Sequence, residues 1–255
     1  MTAPKVTIIT AIFNGEKHIE ETIKSVISQD YENFEYIIID GGSTDGTINI
    51  IKKYENKIKY WVSEKDKGIS DAFNKGIKAS TGDYINFQGD GDRLYSKDVL
   101  SRVFKDKNFS QEMLISCRIE RVNEEGEGLF LSKYIEKFNK KSLIYKLKIP
   151  HQGLFTHRSF YNKYGFFDLG NIFCMDYEIL LRAYHDFPVV VTKDIVVSKW
   201  RDDGVGNGRT LEIFDEYNYI KIKNKITRPY YLFFVKNWIL FKYYTKKILG
   251  IYKKY

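Results

Sequence analysis

"KVTIITAIFNGEKHIEETIKSVISQDYENFEYIIID", residues 5–40, holds two β-branched apolar runs separated by a stretch of a different period. The first run, KVTIIT at 5–10, predicts a buried strand. Within residues 16–29, Ile19, Ile23, Val26 and Ile27 recur at helical spacing, and FEYIIID at 34–40 predicts a second strand. Strands joined through a helix pair in parallel with a right-handed crossover.

The same alternation continues downstream. A glycine-rich turn, GGSTDG at 41–46, leads into a short helix at 47–54. A third strand is predicted at 58–64, a helix at 69–79 and a fourth strand at 83–87. This order predicts an α/β fold built on an open Rossmann-like sheet. After Asp92 the pattern loosens. Residues 95–150 are mixed, polar and Lys-rich, with a hairpin or loop at 123–128. A helix is expected at 176–185, a strand pair at 187–200 and a glycine-rich loop at 201–209.

The chain's 255 residues, 43% hydrophobic and 29% charged, suffice for a large core without disulfides or structural metals. Cys117 and Cys174 are far apart and lack CxxC spacing, which argues against a zinc site or disulfide framework and suits a reducing cytosol. The amino terminus lacks the pattern of a secretory signal, so a cytoplasmic setting is expected. The net charge of +8 is uneven: residues 221–255 carry ten Lys or Arg and no acid, leaving 31 basic against 33 acidic elsewhere. No basic stripe crosses the folded part, and nucleic acid is not an expected partner.

The tail, YYLFFVKNWILFKYYTKKILGIYKKY at 230–255, is too interrupted by lysine to span a bilayer. On a helix, Lys236, Lys242, Lys246, Lys247, Lys253 and Lys254 share one arc, with Phe234, Trp238, Phe241, Ile248 and Tyr252 opposite. That suits peripheral contact with a membrane. Leu232, Val235, Ile239 and Tyr243 break the basic arc, leaving open a helix packed on its own domain or on a second subunit, as in a homodimer.

Ligands of open parallel sheets sit beyond the carboxyl ends of the strands. The four predicted strands end near Thr10 and Phe13, at Asp40, at Glu64 and Asp66, and at Asp90 and Asp92. Converging carboxylates repel one another unless a cation or hydrogen-bond donors offset them. Alone, Asp90-Gly91-Asp92 reads as an acidic turn; with three other strand ends beside it, it reads as a site for Mn²⁺ or Mg²⁺ and a diphosphate. Asp40 could accept from a base N–H such as uracil N3, and Phe13 could stack on that base or fill the core. Asp45 and Gly46 read as turn formers. The glycine turn is neither GxGxxG after the first strand nor a Walker A loop, which disfavours hydride-transfer and P-loop enzymes.

TIITAIFNGEKHIEETIKSVISQDYENFEYIIIDGGSTDGT, SEKDKGISDAFNKGIKASTGDYINF and the DGD triplet resemble family 2 glycosyltransferases of the GT-A fold, and the likeness extends through PHQGLF, GFFD and MDYEILLR. The resemblance implies a catalytic domain over residues 1–220, with a nucleotide-sugar half at 1–100 and an acceptor half at 101–220, followed by the helical tail at 221–255. It implies a mixed sheet with helices on both faces. Thr10, Phe13 and Asp40 would line the nucleoside pocket, with Phe13 where the family usually has Tyr. Asp66 and Lys67 would lie near ribose or phosphate. Asp90 and Asp92 would form the metal-binding element, with Asp92 the direct ligand. Asp176 would be the catalytic base, although Asp is also a favoured helix N-cap. His151 and Gln152 would lie in the sugar or acceptor region. Two departures stand out: Gly91 separates acids that are often paired, and Asp203-Gly204-Val205-Gly206 matches the family's later glycine segment only loosely.

The activity implied is metal-dependent, inverting transfer of a hexosyl or N-acetylhexosaminyl group. The donor would be a nucleotide sugar, a UDP-sugar foremost, and the acceptor a hydroxyl of a glycan or lipid-linked glycan. The expected setting is bacterial surface polysaccharide assembly at the inner face of the cell membrane. The rivals are a sugar-nucleotide nucleotidyltransferase, which should carry a Gly-, Arg- and Lys-rich loop in place of TAIFNGEKH, and a non-catalytic carbohydrate-binding protein.

Overall fold

The computed structural model describes residues 3–104, 114–145, 147–202, 204, 206 and 208–250. Its first half follows the predicted alternation: β1 (Val6–Ile12), α1 (Ile19–Ile27), β2 (Phe34–Asp40), α2 (Thr47–Lys53), β3 (Tyr60–Ser63), α3 (Ile69–Ala79) and β4 (Tyr84–Phe87). β1 pairs in parallel with β2 and with β4, and β2 in parallel with β3. The strand order β3-β2-β1-β4 reverses direction across β1, which opens a crevice between the carboxyl ends of β1 and β4.

The second half extends the same sheet as a mixed one. β5 (Arg93–Leu94), α4 (Val99–Phe104), β6 (Leu114–Val122), β7 (Gly128–Leu131), β8 (Leu154–His157), α5 (Arg158–Tyr164), α6 (Met175–Arg182) and β9 (Val190–Arg201) follow in order. β8 pairs antiparallel with β4 and with β6, and β9 runs parallel to β6. The expected strand pair at 187–200 is instead one long strand. The polar Lys193-Asp194 at its centre sits where the β6–β9 register shifts, and Asp194 there pairs with Arg118 at 2.7 Å. The hairpin at 123–128 is present between β6 and β7, with Gly126 at φ 84°.

Alternating side chains divide between two cores. Ile9, Ile37, Ile39, Ile85 and Phe87 face α3, α5 and α6, whereas Val6, Ile8, Tyr36, Ile38 and Tyr84 face α1, α2 and α4. Helices thus cover both faces. Cys117 and Cys174 are buried and unpaired.

α7 (Thr210–Lys223) and α8 (Pro229–Ile248) complete the described chain. α7 runs across the expected tail boundary at 220/221, and Ile220 and Lys221 are both buried. On α8, Leu232 and Val235 are buried, with Ile239 and Tyr243 partly so on the same side. These are the residues that interrupt the basic arc in sequence; they form a third, inward face. Tyr252, Lys253 and Lys254 lie outside the described residues. Among the described residues, no helix is long and apolar enough to cross a membrane.

Candidate active site

The loops at the carboxyl ends of the first four strands touch one another. After β1, Asn14 N–H donates to Ser43 Oγ at 2.7 Å, Thr44 N–H donates to Asn14 Oδ1 at 2.9 Å, and Gly15 N–H donates to Thr47 Oγ1 at 2.9 Å. These bonds lace the β1 loop to the β2 loop. Gly41 admits Asp66 from the β3 loop, whose Oδ2 lies 2.7 Å from where a Cβ would stand. Gly15 likewise admits Asp90 from the β4 loop, Oδ2 lying 2.5 Å from its would-be Cβ. Four separate stretches of sequence therefore form one continuous rim.

Within this rim the candidate residues divide into surfaces and supports. Phe13 is 63% exposed and belongs to neither core, so it is not core filler. Lys67 is also exposed; Asp66 Oδ1 accepts the Gly68 N–H at 2.8 Å. Thr10 is buried, its hydroxyl 3.0 Å from that of Tyr36, and lies beneath the rim. Asp45 accepts from the N–H groups of Glu16 and Thr47, each at 3.0 Å, and forms the turn.

Asp40 is fully buried. Its carboxylate accepts from Gly42 N–H at 3.1 Å, Ser43 N–H at 2.9 Å, and the Ser43 and Ser63 hydroxyls at 2.5 Å each. A carboxylate offers about four lone-pair sites. Three of these bonds fall on Oδ2 and one on Oδ1, so the chain itself holds the carboxylate in place and leaves one lone pair on Oδ1, in a side chain with no exposed surface.

Asp92 is also inside. Only 4% of it is exposed, and it accepts from Arg201 N–H and Gly89 N–H at 3.0 Å each and from Gln152 Nε2 at 3.2 Å. Burial pushes its carboxyl up to about 6, with those donors pulling the other way. The Gln152 carbonyl in turn accepts from Asn86 and Gln88, and Gln88 accepts from Ser198 at 2.8 Å. Gln152 thus fastens the β4 loop to β8 and β9. Gly91 holds φ 80°, and the Arg201 side chain closes over its Cα hydrogens.

Asp92 retains one lone-pair site after its three hydrogen bonds, and Asp90 shares its turn. This suits Mn²⁺ or Mg²⁺, which take one or two carboxylates and complete the shell with phosphate and water oxygens. It does not suit an all-protein cage: among the described residues no three His, Cys, Asp or Glu side chains are placed for one.

Asp176 stands in the first turn of α6, one residue inside the N-terminus and not at the cap, which is Cys174. Ser70 in the first turn of α3 donates to Met175 Sδ at 3.1 Å, which brings the start of α6 against the rim beyond β3. Asp176 and His151 line one small cavity with Phe87, Phe167 and Leu180. The His151 ring stacks on Phe87, centroids 5.1 Å apart and planes 11° apart. Burial raises the Asp176 pKa against the pull of His151; burial lowers the His151 pKa against the pull of Asp176. A carboxylate made more basic by its surroundings suits proton abstraction.

Glu216 had no signal in the sequence. From α7 it accepts the N–H groups of Ile172 at 2.8 Å, Phe173 at 3.0 Å and Cys174 at 3.4 Å, the segment that leads into α6. Of the glycine segment at 203–206, Asp203 and Val205 lie outside the described residues.

The family model for glycosyl transferase family 2 matches residues 7–169. An uncharacterized glycosyltransferase of Mycobacterium tuberculosis is 31% identical over 219 residues, covering 82% of this chain and 79% of that one. The crystal structure of S. aureus TarS superposes with a TM-score of 0.68 at 19% identity, covering 86% of this chain and 64% of that one. TarS has also been solved in complex with UDP-GlcNAc and with UDP. The mannosyltransferase PcManGT from Pyrobaculum calidifontis, in complex with GDP-Man and Mn²⁺, gives a TM-score of 0.64 at 18% identity, covering 88% of this chain and 65% of that one. The chain spans less than two thirds of these solved chains, and it shares their GT-A fold.

Proposed function

The chain belongs to glycosyl transferase family 2, and on that premise we propose that it moves a sugar, with inversion, from a UDP-sugar to a hydroxyl of a glycan or lipid-linked glycan. The observation that carries this reading is the meeting of two groups at one edge of the sheet: the laced donor-side rim and the cavity shared by Asp176 and His151. The UDP-GlcNAc and UDP complexes of TarS support a UDP-sugar, and the GDP-Man complex of PcManGT makes a GDP-sugar the first alternative.

Each residue then has a task. Phe13 offers an exposed ring to the base. Asp40 shapes the turn at 41–46, whose shape sets the nucleoside pocket. Asp66 and Lys67 border the ribose and phosphates. Asp90, with the remaining lone pair of Asp92, would hold Mn²⁺ or Mg²⁺, which when bound stabilises charge growing on the leaving diphosphate. Asp176 accepts the proton of the acceptor hydroxyl as its oxygen attacks the anomeric carbon, and the bond from that carbon to the diphosphate oxygen breaks. A single displacement inverts the centre. His151 and Gln152 border the transferred sugar. The setting is the membrane's cytoplasmic face, where surface polysaccharide intermediates are assembled on lipid.

A panel of UDP-sugars plus GDP-mannose, each with Mn²⁺ or Mg²⁺ and a lipid-linked glycan extract, tests this. Release of UDP or GDP with sugar transfer is expected. Pyrophosphate release would instead mark a nucleotidyltransferase, and silence with every donor a binding protein.

A further inference from the structure

The outward face of α8 is a ridge of large apolar side chains. Tyr230, Phe234, Phe241, Tyr244 and Ile248 are 60%, 67%, 61%, 48% and 83% exposed, and with Asn237 they recur three or four residues apart along one side. Phe233, 65% exposed, and Trp238, 55% exposed, widen it. The opposite side is taken up by the buried Leu232 and Val235. Contiguous exposed apolar surface of this kind marks a docking face.

The charges around the ridge select what docks. By helical geometry, Lys236 and Lys247 lie along one flank and Lys242 along the other, while Lys246 falls nearer the inward side. Lys236 is paired with Asp215 at 2.8 Å, and Lys242 sits over the Trp238 ring, 4.8 Å from its centroid. From residue 217 to 255 the sequence has no Asp or Glu. A second copy laid on this ridge would bring lysines against lysines with no acid on α8 to offset them. An anionic lipid surface supplies the missing charge, and long lysine stems can lift their ammonium groups to the headgroups while the rings sink among acyl chains.

We propose that α8 docks lengthwise on an anionic lipid bilayer through the ridge Tyr230–Phe234–Phe241–Ile248, held by its flanking lysines. Its outward face is the seat, and α7, which carries Glu216, joins it to the helix bearing Asp176. The docking goes beyond the transfer reaction and can be tested without it.

The full chain is sedimented with vesicles of phosphatidylcholine alone and of phosphatidylcholine mixed with phosphatidylglycerol. Binding to the anionic vesicles should exceed binding to the neutral ones about tenfold. Phe234→Ser with Phe241→Ser should lower anionic binding about tenfold, and Lys242→Glu with Lys247→Glu should abolish the preference for anionic lipid. Circular dichroism and the melting temperature serve as fold checks, since all four residues are exposed. Equal binding to both vesicle types would overturn the proposal. So would undiminished binding by the Phe variant, or a lipid-free dimer that this variant converts to monomer.

Discussion

Glu216 accepts a 2.8 Å hydrogen bond from the backbone N–H of Ile172, joining α7 to the segment that leads into the Asp176 helix. With the further bonds from Phe173 and Cys174, this carboxylate satisfies donors that would otherwise be orphaned before the first turn of α6. It is a positioning residue. Glu216→Ala should lower kcat by about tenfold to a hundredfold while leaving the donor KM unchanged. Glu216→Gln, which keeps an acceptor oxygen, should recover most of the loss. A kcat unaffected by the Ala variant would show that the contact does not position the base.

Asp40 gives a different expectation. Its fully buried carboxylate accepts from Gly42, Ser43 and Ser63, so an Asn there turns an NH₂ group toward at least one N–H or O–H donor. Asp40→Asn should cost about 1–3 kcal/mol of stability and weaken UDP binding through the displaced turn at 41–46. Thermal unfolding with and without UDP measures both. A variant that melts like wild type yet loses UDP affinity would assign Asp40 to direct base contact instead.

The difference between Asp40 and Phe13 shows what the sequence made legible. That both stand at strand ends follows from periodicity, and β2 and α3 begin and end at the residues expected, 34–40 and 69–79. Continuous β-branched runs bounded by glycine leave little freedom in register. Whether a strand-end side chain faces the cleft or its own loop depends on local donors: Ser43 and Ser63 turn Asp40 inward, and Arg201, Gly89 and Gln152 turn Asp92 inward. Gln152 and Arg201 are far from Asp92 in sequence, and no periodicity joins them. Residues 95–150 were less legible for a related reason. Within that stretch, β6 pairs antiparallel with β8 and parallel with β9, partners remote in the chain, and its register with β9 shifts between Thr192 and Val196.

The pH dependence of turnover should follow Asp176. Burial raises its pKa above the usual carboxylate value, and the base works only when ionised. Activity should therefore be lost on acidification through a midpoint above 3.8, the ordinary aspartate value. The acidic limb of kcat/KM against pH locates that midpoint. His151→Phe removes the attraction that favours the ionised form and should move the limb to higher pH. An acidic limb unmoved by this variant would separate His151 from the base.

Stability against acid should depend on Glu35, buried between the Lys5 ammonium at 2.7 Å and the hydroxyls of Thr7 and Thr81, each at 2.7 Å. Burial pushes its pKa up, but Lys5, Thr81 and Thr7 outweigh burial and hold it at about 2, below the ordinary 4.5. Its contribution is present above pH 4.5 and is lost as pH falls through about 2. Glu35→Gln should lose about 1–3 kcal/mol at neutral pH and progressively less in acid, as read from urea unfolding across the pH range. An equal loss at every pH would show that packing, and not charge, is what Glu35 supplies.

The most direct measurement compares wild type with Asp176→Asn for two quantities: UDP affinity, and the rate of sugar transfer from the donor that the panel identifies. Asp176→Asn should bind UDP as wild type does and transfer sugar at least about a hundredfold more slowly, the lower end of general-base catalysis. Transfer at the wild-type rate with intact UDP binding would contradict the assignment of Asp176 as the group that takes the acceptor's proton.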